Sequence, residues 1–176
     1  SIIYDNNGTE IDKLHGEENR EYVTFDLIPD DLKNAVISIE DERFYEHNGI
    51  DIKGIMRALV IDIKERNFSQ GASTITQQLI KNEKLKSEKT IVRKIQEQYL
   101  AVELEKNQSK AVILENYLNT INLGAGCYGV QAASKRYFNK DVSELTISES
   151  AVIAAITQNP TKYNPINHPE ENVKRR

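Results

Sequence analysis

From Asp30 onward the apolar positions fall in helical rhythm. Leu32, Ala35, Val36 and Ile39 stand at i, i+3, i+4 and i+7 and predict a buried stripe on a helix that ends at Glu40. Asp51 is placed to cap a second helix over residues 52–65. The polar run 67–72, which contains a glycine, predicts a loop. Thr74 and Gln77 then form a T-x-x-Q capping box that opens a helix reaching about Asn82. Residues 83–89 are too polar for a core. Ser87 is a candidate cap for a long helix to about Lys106, with Val92, Ile95, Tyr99 and Val102 spaced 3-4-3. Ser109 caps the next helix, with Leu114, Leu118 and Ile121 inward. Residues 124–129 break the pattern, and a helix resumes over 130–138. Thr146 and Glu149 make a second capping box before an apolar helix to about Thr157, which Pro160 and Pro165 end. Residues 1–28 read differently. Ile2-Ile3-Tyr4 run into the turn signal Asp5-Asn6-Asn7-Gly8, then Ile11 and Leu14 follow, then Tyr22-Val23-Thr24-Phe25. This predicts one or two short strands lying on a helical body. The expectation is a lead-in over 1–28 and one mainly α domain over 29–176, with no internal repeat.

Composition narrows the possibilities. At 176 residues the chain has room for one domain with a real core. Apolar residues at 39% and a net charge of −4 place it among folded proteins and give no overall basic field for nucleic acid. A single cysteine excludes an internal disulfide framework and any site with two cysteine ligands for zinc. No apolar run approaches the roughly 18 residues of a membrane span, and no signal peptide opens the sequence. The first residue is not Met and the last three are Lys174-Arg175-Arg176, so the chain reads as a segment of a longer protein.

Four stretches carry candidate chemistry. In 40–49, Glu-Asp-Glu-Arg-Phe-Tyr-Glu-His-Asn-Gly, acids crowd the end of an apolar helix. A carboxylate held rigidly there suits a general base, and a solvated helix end explains the same residues. His47 has no second His or Cys at metal-ligand spacing and reads as structural. In 71–82, Thr74, Gln78, Lys81 and Asn82 share one helix face while Ile75 and Leu79 share another. Amides and hydroxyls suit sugar hydroxyls and phosphate oxygens, and a helix start offers free N–H groups. An ordinary polar surface helix is the alternative. Arg93 and Glu97 are i, i+4 neighbours, either a surface ion pair or an anion site with its orienting acid. Glu115 and Asn119 read as structural polar contacts behind a site, and Cys127 as a free thiol without chemistry.

Taken in order, these stretches resemble one family. Glu40-Asp41 with Phe44, His47 and Gly49 is similar to the ED-x-x-F-x-x-H-x-G motif of the bacterial peptidoglycan glycosyltransferases. Gly71-Ala72-Ser73-Thr74-Ile75-Thr76-Gln77-Gln78, followed by Lys81-Asn82, resembles their second motif. Arg93-Lys94-x-x-Glu97 resembles the third, and residues 110–124 the fourth. Gly129, Ala132-Ala133 and Tyr137-Phe138 resemble the fifth. The lead-in around Tyr4 and Tyr22 looks like that of class A penicillin-binding proteins, which carry a membrane helix before such a domain and a transpeptidase after it. The S-x-x-K motif of penicillin-binding transpeptidases does not occur in these residues.

The resemblance implies a mainly α, lysozyme-like fold with a membrane-facing lobe around residues 50–70. It implies lipid II as substrate and a β-1,4-linked glycan strand as product, with undecaprenyl pyrophosphate leaving and the donor anomeric centre inverted. By the family pattern Glu40 is the general base and Glu97 a second carboxylate, positioning donor groups or a divalent ion (magnesium or manganese). No organic cofactor is implied. Asp41, Phe44, Ser73, Thr74, Gln78 and Asn82 fall on the substrate side, and Lys81, Lys89 and Arg93 match the family's basic positions. The implied partners are lipid II, the growing strand, the membrane surface and other cell-wall synthesis proteins, at the outer face of the cytoplasmic membrane. One departure stands out. Where many members carry a Lys, this chain has Gln158, with Lys162 as a candidate substitute. A lysozyme-like hydrolase and a non-catalytic glycan-binding module are the alternatives, and the cations argue against the hydrolase. Ile52, Ile55, Met56, Leu59, Val60 and Ile63 form an apolar stripe that suits either the core or a lipid surface.

Overall fold

The structure, a computed structural model, describes residues 2–4, 10–13, 19–65, 71–84 and 90–176. Helices dominate: α1 (Asp30–Glu40), α2 (Ile52–Glu65), α3 (Ile75–Lys84), α4 (Ile91–Asn107), α5 (Lys110–Thr120), α6 (Val130–Phe138), α7 (Ile147–Ile156) and α8 (Pro169–Arg175). Two small strand pairs accompany them. β1 (Ile2–Tyr4) runs antiparallel to β2 (Glu10–Lys13), and β3 (Asn19–Arg20) runs parallel to β4 (Cys127–Tyr128).

The core forms around α5, whose Ile113, Leu114, Tyr117 and Leu118 are fully enclosed. α1 lies on α7, while α3 lies against α4 and α5. Leu32 and Val36 of α1 meet Ile153 and Ile156 of α7 in one apolar cluster with Phe44, Ile75 and Leu79. Each such side chain contributes roughly 1.5–3 kcal/mol on leaving water. The consequence is geometric: the C-terminal end of α1, the N-terminal half of α3 and the end of α7 converge.

The predicted caps at Asp51, Thr74, Ser109 and Thr146 are present. Asp51 Oδ1 accepts the Gly54 N–H at 2.9 Å. Thr74 Oγ1 accepts the Gln77 N–H at 3.1 Å while Gln77 Oε1 accepts the Thr74 N–H at 3.0 Å. Ser109 Oγ accepts from Val112, and Thr146 and Glu149 cap each other reciprocally. Glu115 and Asn119 prove structural. Asn119 brackets the Val23 backbone at 2.8 and 2.9 Å, and Glu115 accepts from the Phe25 N–H at 2.6 Å and from the Tyr22 hydroxyl. They strap the lead-in to the helical body.

The α4 reading needs correction. Ser87 lies outside the described residues; Thr90 is the cap, accepting the Arg93 N–H at 3.1 Å. Val92, Ile95 and Tyr99 do not face the core. They are 60–65% exposed, because the buried side of α4 is the one that carries Glu97 and Ala101. α2 is arranged likewise. Gly54 and Ala58 face inward while Ile52, Met56, Leu59 and Val60 face out. A Cβ at Gly54 would stand 2.3 Å from Asp51 Oδ2, so only a hydrogen fits that contact. Among the described residues no helix is long and apolar enough to cross a membrane.

Candidate active site

Glu40 is the last residue of α1. A helix C-terminus is the unfavourable end for a carboxylate, so stability does not explain its presence. Three neighbouring elements receive it. Gln78 Nε2 of α3 donates to Oε2 at 3.0 Å, and Thr157 Oγ1, just past α7, donates to Oε1 at 2.5 Å. Behind Gln78, the hydroxyl of Tyr117 from α5 donates to its Oε1 at 3.1 Å. Burial first, and the charges of Glu40 and Asp41 next, push the Tyr117 phenol well above its ordinary value, so it remains a donor.

Two hollows meet at this carboxylate. A cleft of about 460 Å³ is lined by Glu40, Ser73, Gln78, Lys81, Asn82 and Glu97, and is closed by Thr157, Gln158, Pro160 and Arg175. A smaller depression of about 200 Å³ lies beside it, formed by Glu40, the turn after α1, the start of α2 and residues 71–74. Ile39, Glu40, Gly71 and Ser73 belong to both.

Glu97 projects from the buried side of α4, its side chain 2% exposed. Arg93 Nη1 donates to its Oε2 at 3.1 Å and Lys94 Nζ pairs with Oε1. Lys94 also donates to Ser73 Oγ at 2.8 Å, tying α4 to the loop before α3. A buried carboxylate carrying two cations is held in place, and removing either partner is costly. Both Glu97 oxygens are therefore occupied by cationic side chains. Among the described residues no three His, Cys, Asp or Glu side chains converge as metal ligands. Glu97 is the carboxylate the family pattern offers to a divalent ion, and here each of its oxygens already faces one cationic side chain.

Of the other expected substrate contacts, Phe44 lies beneath the cleft, while Asp41 and Thr74 border the smaller depression with their side chains bonded to the protein. Phe44 is fully buried in the core, with Lys110 Nζ 4.4 Å above its ring. Asp41 turns inward. It accepts the Ile75 N–H at 3.0 Å, at the start of α3, and meets His47 Nε2 at 2.9 Å. Thr74 Oγ1 donates to the Gly49 carbonyl at 2.8 Å. Glu105 continues this buried layer, pairing with Lys110 at 2.7 Å and accepting from Thr76. These groups fix the angle between the end of α1 and the start of α3. Arg93 likewise sits behind Glu97 and is absent from the cleft lining. Lys89 lies outside the described residues. Lys162 is not brought to the cleft; its Nζ stands 5.2 Å over the Tyr163 ring. Arg175 takes the place beside Gln158, its guanidinium carbon 5.1 Å from the Tyr163 ring centroid and its Nε buried with no hydrogen-bond partner.

Thus Glu40, Ser73, Gln78, Lys81, Asn82 and Glu97 come together as the sequence leads one to expect. Lys94, Tyr117, Thr157 and Arg175 were missed. Lys94 and Tyr117 had a signal, standing within the third and fourth motifs; Thr157 and Arg175 reach the site only through the fold.

A cleft on a helical body with an acid between two hollows fits a glycosyl-transferring domain, and the family match identifies it as one. The family profile described as Transglycosylase matches residues 7–176. The chain belongs to the transglycosylase family, the glycosyltransferase domain found in class A penicillin-binding proteins. It is 50% identical to penicillin-binding protein 1F of Bacillus subtilis over 176 residues, all of this chain and 24% of that protein. It is 52% identical to penicillin-binding protein 1A of Clostridium perfringens strain 13 over 168 residues, 93% of this chain and 25% of that protein. The chain thus spans about a quarter of these curated relatives. The crystal structure of penicillin-binding protein 1A from Haemophilus influenzae superposes with a TM-score of 0.52 at 25% identity, covering 99% of this chain and 16% of that one.

Proposed function

We propose that this domain polymerises lipid II into a β-1,4-linked glycan strand and releases undecaprenyl pyrophosphate. The observation that carries the reading is that Glu40 lines both hollows. Joining two sugars requires one group that reaches both of them. Glu40 takes the proton of the acceptor's GlcNAc 4-hydroxyl as that oxygen attacks C1 of the donor MurNAc. The bond from C1 to the pyrophosphate oxygen breaks on the opposite face, its electron pair leaves with the pyrophosphate, and the anomeric centre inverts. A positioned base is worth typically 10²–10⁴-fold.

Lys81 and Arg175 line the cleft and supply positive charge where the pyrophosphate becomes more negative. Ser73, Gln78 and Asn82 offer hydroxyl and amide groups to sugar and phosphate oxygens. Glu97, steadied by Arg93 and Lys94, orients donor groups from the far wall. The outward apolar faces of α2 and α4 suit a lipid surface and support a reaction at a membrane, which this reading sets at the outer face of the cytoplasmic membrane beside other cell-wall synthesis proteins.

A gel assay with purified lipid II tests the reading. A ladder of lengthening glycan is expected. Shortening of preformed glycan without polymerisation contradicts it in favour of a hydrolase, and binding without turnover in favour of a non-catalytic module.

A further inference from the structure

Glu40 is gripped on both oxygens by groups that belong to no part of the substrate. On one side the contact is unusually direct. Thr157 has a single hydroxyl proton and two acceptors in reach, Glu40 Oε1 at 2.5 Å and the Ala154 carbonyl at 2.9 Å. The shorter, charge-assisted bond takes the proton, since O–H···O⁻ contacts run about 2.5–2.7 Å. On the other side the orientation is fixed at one remove. An amide flip of Gln78 would set its carbonyl against the Glu40 carboxylate. Tyr117 opposes it, because its hydroxyl proton is donated to Gln78 Oε1 at 3.1 Å, and a flip would leave that buried proton without the acceptor it has here. The amide N–H is thereby aimed at Glu40 Oε2 at 3.0 Å. Each carboxylate oxygen spends one lone pair on this grip and keeps another to accept a proton.

We propose that Thr157 and Tyr117 are positioning residues for Glu40, Thr157 acting directly and Tyr117 through Gln78, together holding the carboxylate in the one orientation that meets the acceptor hydroxyl. The inference rests on Glu40 being the general base. Thr157 lies outside the five motifs, and Tyr117, inside the fourth, acts here on the base through Gln78. This grip gives a carboxylate side chain at a helix end, with several free torsions, two anchors on different elements. Proton abstraction depends steeply on geometry, and small displacements cost rate without touching substrate affinity.

The test compares Thr157→Val, Thr157→Ser and Tyr117→Phe with wild type in the full-length protein polymerising lipid II, with Glu40→Gln as reference. Valine keeps the shape and removes the donor; serine restores it. The expected result is a fall in kcat of about tenfold for Thr157→Val and Tyr117→Phe, with KM within about twofold, and recovery by Thr157→Ser to within about threefold of wild type. Melting temperatures report whether each variant is folded, and the serine variant carries the comparison if valine disturbs the end of α7. Wild-type turnover in Thr157→Val, or equal impairment in the valine and serine variants, overturns the positioning role while Glu40→Gln remains inactive. An active Glu40→Gln overturns the base assignment itself and this inference with it.

Discussion

Two cations line this cleft, Lys81 and Arg175, for which no carboxylate partner stands within ion-pair distance among the described residues, and the proposed mechanism assigns them to the leaving-group charge. Arg93 and Lys94 differ, because their charge is already committed to Glu97. A cation that acts mainly on the departing pyrophosphate lowers the barrier more than it strengthens substrate binding. Lys81→Ala is therefore expected to lower kcat by on the order of 10²-fold, with a smaller change in KM. Steady-state polymerisation kinetics check this; a rise in KM at unchanged kcat would make Lys81 a ground-state binder. Arg175 of α8 lines the cleft together with Gln158, 17 positions earlier in the chain, and is the cation the proposed mechanism uses at that rim.

Among the elements, α7 carries the clearest pH signature. The Lys140 ammonium, 2.8 Å away, leads in holding the Glu149 carboxyl down to about 2 from 4.5, with the Thr146 N–H and hydroxyl adding to it. The folded value lies below the unfolded one. The stability this group confers is thus complete above about pH 4.5 and is lost as pH falls toward about 2. Glu149→Gln should flatten the melting-temperature profile across that interval and leave its shape above pH 5 unchanged; parallel wild-type and variant curves would contradict the assignment. This cap was legible in the sequence, as were those at Asp51, Thr74 and Ser109, because capping is a contact between residues three apart. The orientation of α4 was not legible, for the complementary reason. Spacing shows that Val92, Ile95 and Tyr99 share a face but not what that face meets, and here the neighbouring elements take the Glu97 side. Asp41, Phe44 and Thr74 were recognised as motif residues, yet only the packing shows that they brace the site from below. The Thr157–Glu40 contact joins residues 117 positions apart, and no local pattern announces it.

At the scale of the whole molecule, two helices turn large apolar side chains outward. Ile52, Met56, Leu59 and Val60 do so on α2, and Ile91, Val92, Ile95 and Tyr99 on α4, the most open being Ile91 at 82%. With a net charge of −4, attraction to anionic lipid does not come from overall charge, so the proposed membrane contact rests on apolar area. Polarity-sensitive probes at Met56, Leu59 and Ile95 are expected to move to a less polar environment on addition of liposomes. Unchanged probe signals in a protein that still polymerises bilayer-embedded lipid II would place the membrane contact elsewhere. The faces carrying Glu40 and its two hollows then decide whether the molecule is an enzyme of glycan synthesis. The most direct measurement is the turnover of lipid II by Glu40→Gln, which keeps the side chain's size and its hydrogen-bonding capacity but cannot accept the proton. The account predicts a loss of at least ~10²-fold with the melting temperature nearly unchanged. Retention of more than about a tenth of wild-type turnover would contradict it.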